Sequence, residues 1–255
     1  MAFPLFDLPA EAVDLVLGSV DDLEDKRALR LVCKRSRASV DSRVVAVNKC
    51  APSAQLSALV QAPWQLQRLD LSARYLGPAC AASLEAAPWP ALQVLKLDNN
   101  CVRDAGAASL AAAPWPALRE LSLRGSIHER MGPLGAASLA AAPWTALQVL
   151  HLDYNNLGDA GASSLATAPW TALRELSLAR NSVGDAGAAS LAAAPWPALK
   201  TLSLHYNNVG DAGAASLAAA PWTALRTLRL PSKISSAGRA SLQAHWPAAQ
   251  LQFYN

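Results

Sequence analysis

Aspartates recur in this chain in phase with a period of about 26 residues, at Asp104, Asp159, Asp185 and Asp211. A stack of carboxylates is one way to hold a metal ion. Each aspartate, however, is followed by a run of small residues at helical spacing, as in Asp211-Ala-Gly-Ala-Ala-Ser-Leu. Because aspartate is a preferred residue at a helix N-cap, the pattern favours capping over metal binding.

Two histidines, His151 and His205, are the next candidates for chemistry. In the sheet predicted below they lie two strands apart, about 10 Å, which is too far to share a zinc ion. The four cysteines show no CxxC pairing. The chain also lacks a phosphate-binding P-loop, a nucleophile elbow, an HExxH motif and a dinucleotide fingerprint. We therefore expect no enzyme activity, no metal and no cofactor.

The composition excludes several classes of protein. Hydrophobic residues make up 52% of the chain and charged residues 16%, which excludes disorder driven by high charge. The net charge of +3 is too small and too scattered to indicate nucleic-acid binding. The sequence has no long apolar run that could span a membrane, and Asp7, Glu11 and Asp14 interrupt the apolar positions at the N-terminus, unlike in a signal peptide. We expect a cytoplasmic or nuclear protein.

An internal repeat positions these residues. The motif L-x-x-L-x-L recurs at intervals of 26 residues, with one interval of 29. A degenerate last copy reads Leu251-Gln-Phe253. The sequence therefore predicts about eight repeats over residues 53–255. The middle leucines of the clear copies are Leu69, Leu95, Leu121, Leu150, Leu176, Leu202 and Leu228.

Each repeat has the same internal order. Leu199-x-x-Leu202-x-Leu204 alternates as a short buried strand does, and Asn207 follows it. A helix of small residues comes next, and Trp222 fills the corner before the following strand. We predict that the recurring asparagines Asn100, Asn155, Asn181 and Asn207 bond to the backbone of neighbouring loops, and that the tryptophans belong to the core.

A strand and a helix within 26 residues, always in that order, require parallel strands joined by right-handed crossovers. Helices are wider than the strand spacing, so the stack should bend with its strands on the concave side. The run L-x-x-L-x-L-x-x-N with helices of the type GDAGAASLA resembles the leucine-rich repeats of the ribonuclease-inhibitor-like class, in particular the GALA-type variant. The resemblance implies an α/β solenoid, a right-handed horseshoe with a parallel concave sheet.

Polar side chains alternate with the buried leucines, so we expect them on the concave face. They vary from repeat to repeat, whereas the scaffold positions hardly change. A surface that recognises a protein needs such variation, although a neutral solvated face would show it too. Two of them, Tyr154 and Tyr206, share a column of the sheet and could frame a small aromatic patch. The candidate residues for binding a client protein are Lys96, Asp98, Glu120, Arg124, His151, Asp153, Tyr154, Glu175, Arg180, His205, Tyr206 and Arg229.

One repeat is irregular. Between Arg124 and Pro133 it is three residues longer than the others and lacks the asparagine. Insertions in solenoids lie along one edge and often touch ligands. An exposed loop also tolerates an insertion that has no purpose, so the sequence leaves both interpretations open.

Residues 1–48 have a different composition, with an acidic cluster at 21–25 followed by basic residues at 26–37. Apolar residues at helical spacing predict three short helices there, which can cover the apolar end of the first repeat. The segments Leu8-Pro9-Ala10-Glu11-Ala12-Val13 and Leu29-Arg30-Leu31-Val32-Cys33-Lys34-Arg35 resemble the F-box. The pattern departs at Ser36, near where many F-boxes carry a tryptophan.

The F-box resemblance implies a partner and a function. In that family the box binds a Skp-type adaptor of cullin–RING ubiquitin ligases, and the repeats behind it select the protein to be ubiquitinated. The alternatives are a leucine-rich-repeat scaffold or inhibitor whose N-terminal helices are only a cap, and a GTPase activator, for which the sequence singles out no acting residue. The residues that the resemblance places against the adaptor are Leu8, Pro9, Val13, Leu17, Leu31, Val32 and Lys34.

Overall fold

The computed structural model describes residues 66–73, 76–87, 89–126 and 130–254, and the backbone of three short strands before them. These strands are β1 (Asp14–Val16), β2 (Val32–Lys34) and β3 (Val44–Ala46). β3 and β1 pair in parallel, β1 and β2 pair antiparallel, and β3 pairs in parallel with the first strand of the repeats. The three helices predicted over residues 1–48 are therefore not confirmed, and the rest of that segment lies outside the described residues.

From Arg68 onward, short strands alternate with helices of 8 to 10 residues. The elements are β4 (Arg68–Asp70), α1 (Pro78–Glu85), β5 (Val94–Lys96), α2 (Arg103–Ala112), β6 (Glu120–Ser122), α3 (Pro133–Ala140), β7 (Val149–His151), α4 (Gly158–Ala166), β8 (Glu175–Ser177), α5 (Asp185–Ala192), β9 (Thr201–Ser203), α6 (Asp211–Ala218), β10 (Thr227–Pro231), α7 (Ser236–His245) and β11 (Gln250–Tyr254).

Strands β4 to β11 form one parallel sheet in sequence order, as predicted. Its register aligns the middle leucines of successive repeats, from Leu69 opposite Leu95 to Leu228 opposite Leu251. From Leu69 to Leu228 these leucines are fully buried. Successive helices pack side by side in a second layer, so the leucines lie between the sheet and the helices, and the core extends through the stack.

The tryptophans complete this core, as expected. Trp196 and Trp222 are 1% exposed, and their rings stack with centroids 6.4 Å apart. Trp222 stacks in turn on Trp246 at 6.2 Å. The indoles thus form a ladder at the corner where each helix gives way to the next strand.

The asparagines bond to loop backbone across repeats, which confirms the prediction. The amide oxygen of Asn207 accepts from the backbone N–H of Asn181 and of Val183, both at 2.9 Å. Its amide nitrogen donates to the carbonyl of Leu178 at 2.7 Å. The residue is buried, so these bonds satisfy backbone groups that water does not reach.

Each of the recurring aspartates caps the helix of the following repeat. The prediction that an aspartate caps its own helix was therefore wrong. Asp185 lies in the first turn of α5 and makes no cap bond there. Its Oδ1 accepts instead from the N–H of Gly210 at 2.6 Å and of Gly213 at 2.9 Å, at the start of α6. A Cβ on Gly213 would lie 2.6 Å from that oxygen, so the carboxylate has room only because this residue is glycine.

Candidate functional site

The surface of the sheet that faces away from the helices, here called the concave face, carries two kinds of contact. In its first half the polar side chains pair with one another. Lys96 Nζ lies 3.0 Å from Glu120 Oε1 across neighbouring strands. The Asp98 carboxylate accepts from the Ser122 hydroxyl and from the backbone N–H of Arg124. Asp98 is thus occupied by the turn of the next repeat, which argues against its predicted role in binding a client.

In the second half, residues in or just after six successive strands, β6 to β11, line an open depression of about 520 Å³. Its floor consists of small side chains, Ser177, Ala179 and Ser203, which the sequence analysis did not single out as a group. The sequence did contain a signal, because the sheet register places two small residues, Ser177 and Ser203, opposite each other. The larger residues that line it are Arg124, Asp153, Tyr154, Glu175, His205, Arg229 and Tyr254.

A relay of hydrogen bonds holds one wall of the depression. Arg124 Nε donates to Asp153 Oδ2 at 3.0 Å, and its Nη2 lies 3.1 Å from His151 Nδ1. Arginine can only donate, so Nδ1 accepts and the His151 proton is on Nε2. That N–H donates to Glu175 Oε1 at 3.1 Å. Four predicted client-binding residues are therefore brought together, with each polar group satisfied by another.

The electrostatics follow from this relay. The hydrogen bond from His151 lowers the pKa of the Glu175 carboxyl, and the positive charges of Arg229 and Arg124 lower it further against the effect of burial. Glu175 is therefore ionised at neutral pH. The Asp153 carboxylate is buried and also accepts from the Ser177 hydroxyl and the N–H of Ala179. Like Asp98, it braces a neighbouring turn, which argues against a direct contact with a client.

On the opposite wall, burial lowers the pKa of His205, and Arg229 and Arg180 lower it further against the attraction of Asp153. His205 is therefore neutral at pH 7. Its Nδ1 lies 2.7 Å from the Ser203 hydroxyl. Arg229 Nε donates to Gln252 Oε1 at 2.8 Å.

The predicted aromatic patch is larger than the two tyrosines that suggested it. Arg180 lies between them, with its guanidinium carbon 5.1 Å from the ring centroid of Tyr154 and 4.2 Å from that of Tyr206. The His205 ring is 5.0 Å from Tyr206 and 5.1 Å from Tyr254. We call these five residues the aromatic row. Tyr254 joins it because β11 pairs with β10, a contact that sequence spacing did not show.

Other predicted sites fall outside this surface. Among the residues that the structure describes, no group of His, Cys, Asp or Glu side chains is arranged to hold a metal ion. None of the described helices is both long and apolar enough to cross a membrane. Of the predicted adaptor-facing residues, the structure describes the backbone of Val32 and Lys34 in β2, and the others lie outside the described residues. Residues 127–129 of the irregular repeat also lie outside them.

Comparison with known proteins agrees with the repeat pattern. The family model described as Leucine Rich repeat matches residues 90–111, 145–166, 171–192 and 197–218. No curated protein matches the chain.

Three solved structures are similar in fold. The leucine-rich repeat-containing protein LegL7 from Legionella pneumophila is 15% identical, with a TM-score of 0.43, over 82% of this chain and 89% of that one. An internalin (inlF) from Listeria monocytogenes str. 4b F2365 is 15% identical, with a TM-score of 0.46, over 83% of this chain and 66% of that one. A chain of the yeast Rad7 and Elc1 complex is 13% identical, with a TM-score of 0.48, over 78% of this chain and 60% of that one.

The last two matches span less than two thirds of the other chain. The register of the sheet, the alternation of strand and helix and the four matched segments agree with one another. The chain carries leucine-rich repeats folded as an α/β solenoid with a parallel sheet.

Proposed function

We propose that this protein is an interaction adaptor, the substrate-recognition subunit of an SCF-type ubiquitin ligase. Its repeats would bind a client protein on the concave face, and residues 1–48 would bind a Skp-type adaptor. The protein would contribute positioning and no chemistry of its own. The F-box-like segments around Leu8 and Leu31 support the adaptor half of the proposal.

The observation that carries the client half is the placement of exposed aromatic residues. Four large hydrophobic side chains are exposed among the described residues, and three of them are Tyr154, Tyr206 and Tyr254, at 42%, 41% and 38%. All three belong to the aromatic row beside the depression. Tyrosine is enriched at the energetic centres of protein interfaces, because its ring buries a large area at little cost in entropy. Their clustering therefore supports a protein-binding surface.

The form of the depression also favours binding over catalysis. It is open to solvent, and its charged groups pair with one another around Arg124 and Glu175. Catalysis usually needs a site that excludes water and leaves a reactive group available. A protein client needs only a surface whose shape and charge match its own.

The adaptor half is tested by binding to a purified Skp-type adaptor. We expect the full chain to capture it, and the double substitution Leu8→Asp with Leu31→Asp to abolish capture, because charges would interrupt the apolar strip. Tyr206→Asn, on the concave face, is the matched control and should leave capture unchanged. Capture that survives the double substitution would refute the assignment.

One observation favours the alternative, in which residues 1–48 only cap the repeats of a scaffold or inhibitor. β3 pairs in parallel with β4, so the segment before the repeats continues their sheet. Deleting residues 1–48 separates the two functions. A cap deletion should make the repeats unfold or aggregate, as seen by circular dichroism and light scattering, whereas a separately folded F-box unit should leave them folded.

A further inference from the structure

The aromatic row occupies an unusual backbone position. The residue two places after the third leucine of the L-x-x-L-x-L motif has a positive φ in several repeats. The values are 54° at Asn99, 60° at Tyr154, 56° at Arg180 and 55° at Tyr206. Asparagine tolerates this left-handed conformation, but bulky side chains rarely adopt it. Three consecutive repeats nevertheless place Tyr, Arg and Tyr there. Strained residues of this kind concentrate at binding sites.

The contacts of Arg180 show that its guanidinium group is available to bind a ligand. Its guanidinium carbon lies over the rings of both Tyr154 and Tyr206, at 5.1 Å and 4.2 Å from their centroids. The residue is exposed. Within the described part of the chain, its guanidinium forms no ion pair with a carboxylate. Its N–H groups are therefore without an acidic partner among those residues and are accessible to a ligand.

The two neighbouring arginines, unlike Arg180, have hydrogen-bond acceptors. Arg124 is paired with Asp153 at 3.0 Å, and Arg229 donates to Gln252. The depression and the row together hold three arginines against two carboxylates, Asp153 and Glu175. Among the described residues, Arg180 is the arginine of the three whose guanidinium contacts aromatic rings and no hydrogen-bond acceptor. A single guanidinium held flat matches the planar, two-oxygen geometry of a carboxylate. A phosphate group usually recruits several cations.

We propose that Arg180 is the anchor of the client-binding surface and that it binds the side-chain carboxylate of an Asp or Glu in an acidic segment of the partner protein. Tyr154 and Tyr206 hold the guanidinium flat and pack against the apolar part of the same segment. This inference rests on the proposed function, since it names what the concave face recognises.

The first experiment uses a displayed random dodecapeptide library panned on the full chain. We expect the enriched peptides to share an Asp or Glu at one position. A synthetic copy of the best peptide and its acid-to-amide version are then titrated against the protein by fluorescence anisotropy. Replacing the acid should weaken binding at least tenfold, because the bidentate charged contact is lost.

Substitutions in the protein give the reciprocal test. Arg180→Asn should weaken binding of the acidic peptide at least tenfold and remove the difference between acid and amide. Arg174→Gln is the matched control, since this arginine is exposed in the same repeat but does not line the depression. It should leave affinity within twofold. Arg180→Asn should also keep or raise the urea midpoint, because asparagine suits the positive φ.

The outcomes separate this inference from the proposed function. Peptides that bind equally with acid or amide, and that lose affinity in Tyr206→Asn but not in Arg180→Asn, would overturn the anchor while leaving a protein-binding concave face. No enrichment above an Arg180→Asn control would overturn the anchor, and the adaptor-capture experiment would still decide the other half of the function. A lowered urea midpoint of Arg180→Asn with intact peptide affinity would make Arg180 a structural residue and overturn the anchor as well.

Discussion

At the scale of single residues, the first-turn aspartates show how one side chain sets the start of the next helix. Where a repeat carries this aspartate, the next helix starts from an extended residue, as at Gly184 with φ −103°. Where it carries proline instead, at Pro78 and Pro133, the next helix starts with a positive φ, 53° at Arg103 and 58° at Gly158. Without the carboxylate, the N–H of Gly158 donates to a backbone carbonyl of the following repeat.

This arrangement predicts the effect of removing one carboxylate. Asp185→Ala should lower the free energy of unfolding by about 1 kcal/mol, because the cap bonds to Gly210 and Gly213 disappear. Asp185→Asn keeps an oxygen acceptor and should cost less. Urea denaturation followed by circular dichroism measures both changes.

The control for this prediction is Ser190→Ala. Its exposed hydroxyl bonds to the carbonyl of Ala186 within the same helix, so its loss should change stability by less than about 0.5 kcal/mol. If Asp185→Ala has no larger effect than Ser190→Ala, the bonds between repeats do not contribute to stability.

At the scale of elements, the tryptophan ladder joins each helix to the following strand by packing rather than by hydrogen bonds. Among the described residues, the indole nitrogens of five tryptophans are buried without a hydrogen-bond partner; they belong to Trp89, Trp115, Trp144, Trp170 and Trp196. Trp222 differs, because its Nε1 donates to the carbonyl of Ala194 at 3.2 Å. A buried donor without a partner carries a desolvation cost. The stacked rings and the large buried area therefore outweigh that cost at this corner.

The contribution of the Trp222 hydrogen bond to stability can be measured by comparison with Trp196. Trp196→Phe and Trp222→Phe remove the same atoms from sites that are both 1% exposed. Trp222→Phe should cost about 1 kcal/mol more, because it leaves the Ala194 carbonyl without its side-chain donor, whereas Trp196→Phe removes a donor that has no partner. Equal midpoints in urea for the two variants would show that the indole bond adds nothing.

At the scale of the whole molecule, each repeat contacts its neighbours in sequence, so stability depends on the ends being covered. The last unit is bound firmly. β11 pairs with β10 along five residues, and the Arg239 guanidinium lies 4.2 Å from the centroid of Phe253. Asp211 accepts from the N–H of Ser235, the N-cap residue of α7. The unit of α7 and β11 therefore covers the repeat before it and also supplies one wall of the depression.

Removing this cap should destabilise the solenoid as a whole. A chain that ends at residue 232 would expose Leu228, Leu230 and Trp222, which are at most 1% exposed in the intact protein. Each re-exposed large side chain costs roughly 1.5–3 kcal/mol, so we expect a lower urea midpoint and association detected by light scattering. A chain that ends at Phe253 is the control and should remain monodisperse. An unchanged midpoint for the longer deletion would show that the end needs no cover.

The repeat pattern could be predicted from the sequence because packing between neighbours imposes the same residue at the same place in every repeat. Leu202 and Asn207 are examples, since both are buried and have counterparts 26 residues away. The concave face was harder to predict. Its residues stay a prediction as a client-binding group, and sequence spacing did not show that Asp153 braces a turn or that Arg180 contacts two tyrosines.

The sequence by itself thus determined the architecture: the length of the repeat, its order of strand and helix, the leucine and tryptophan core and the asparagine bonds. These features recur in every repeat, so the pattern of residues within a single repeat is enough to predict them. Only the tertiary structure decided which aspartate caps which helix and which side chains meet across the sheet. Those contacts join residues 24 to 31 positions apart in adjacent repeats, so they depend on the register and side-chain direction of two units at once.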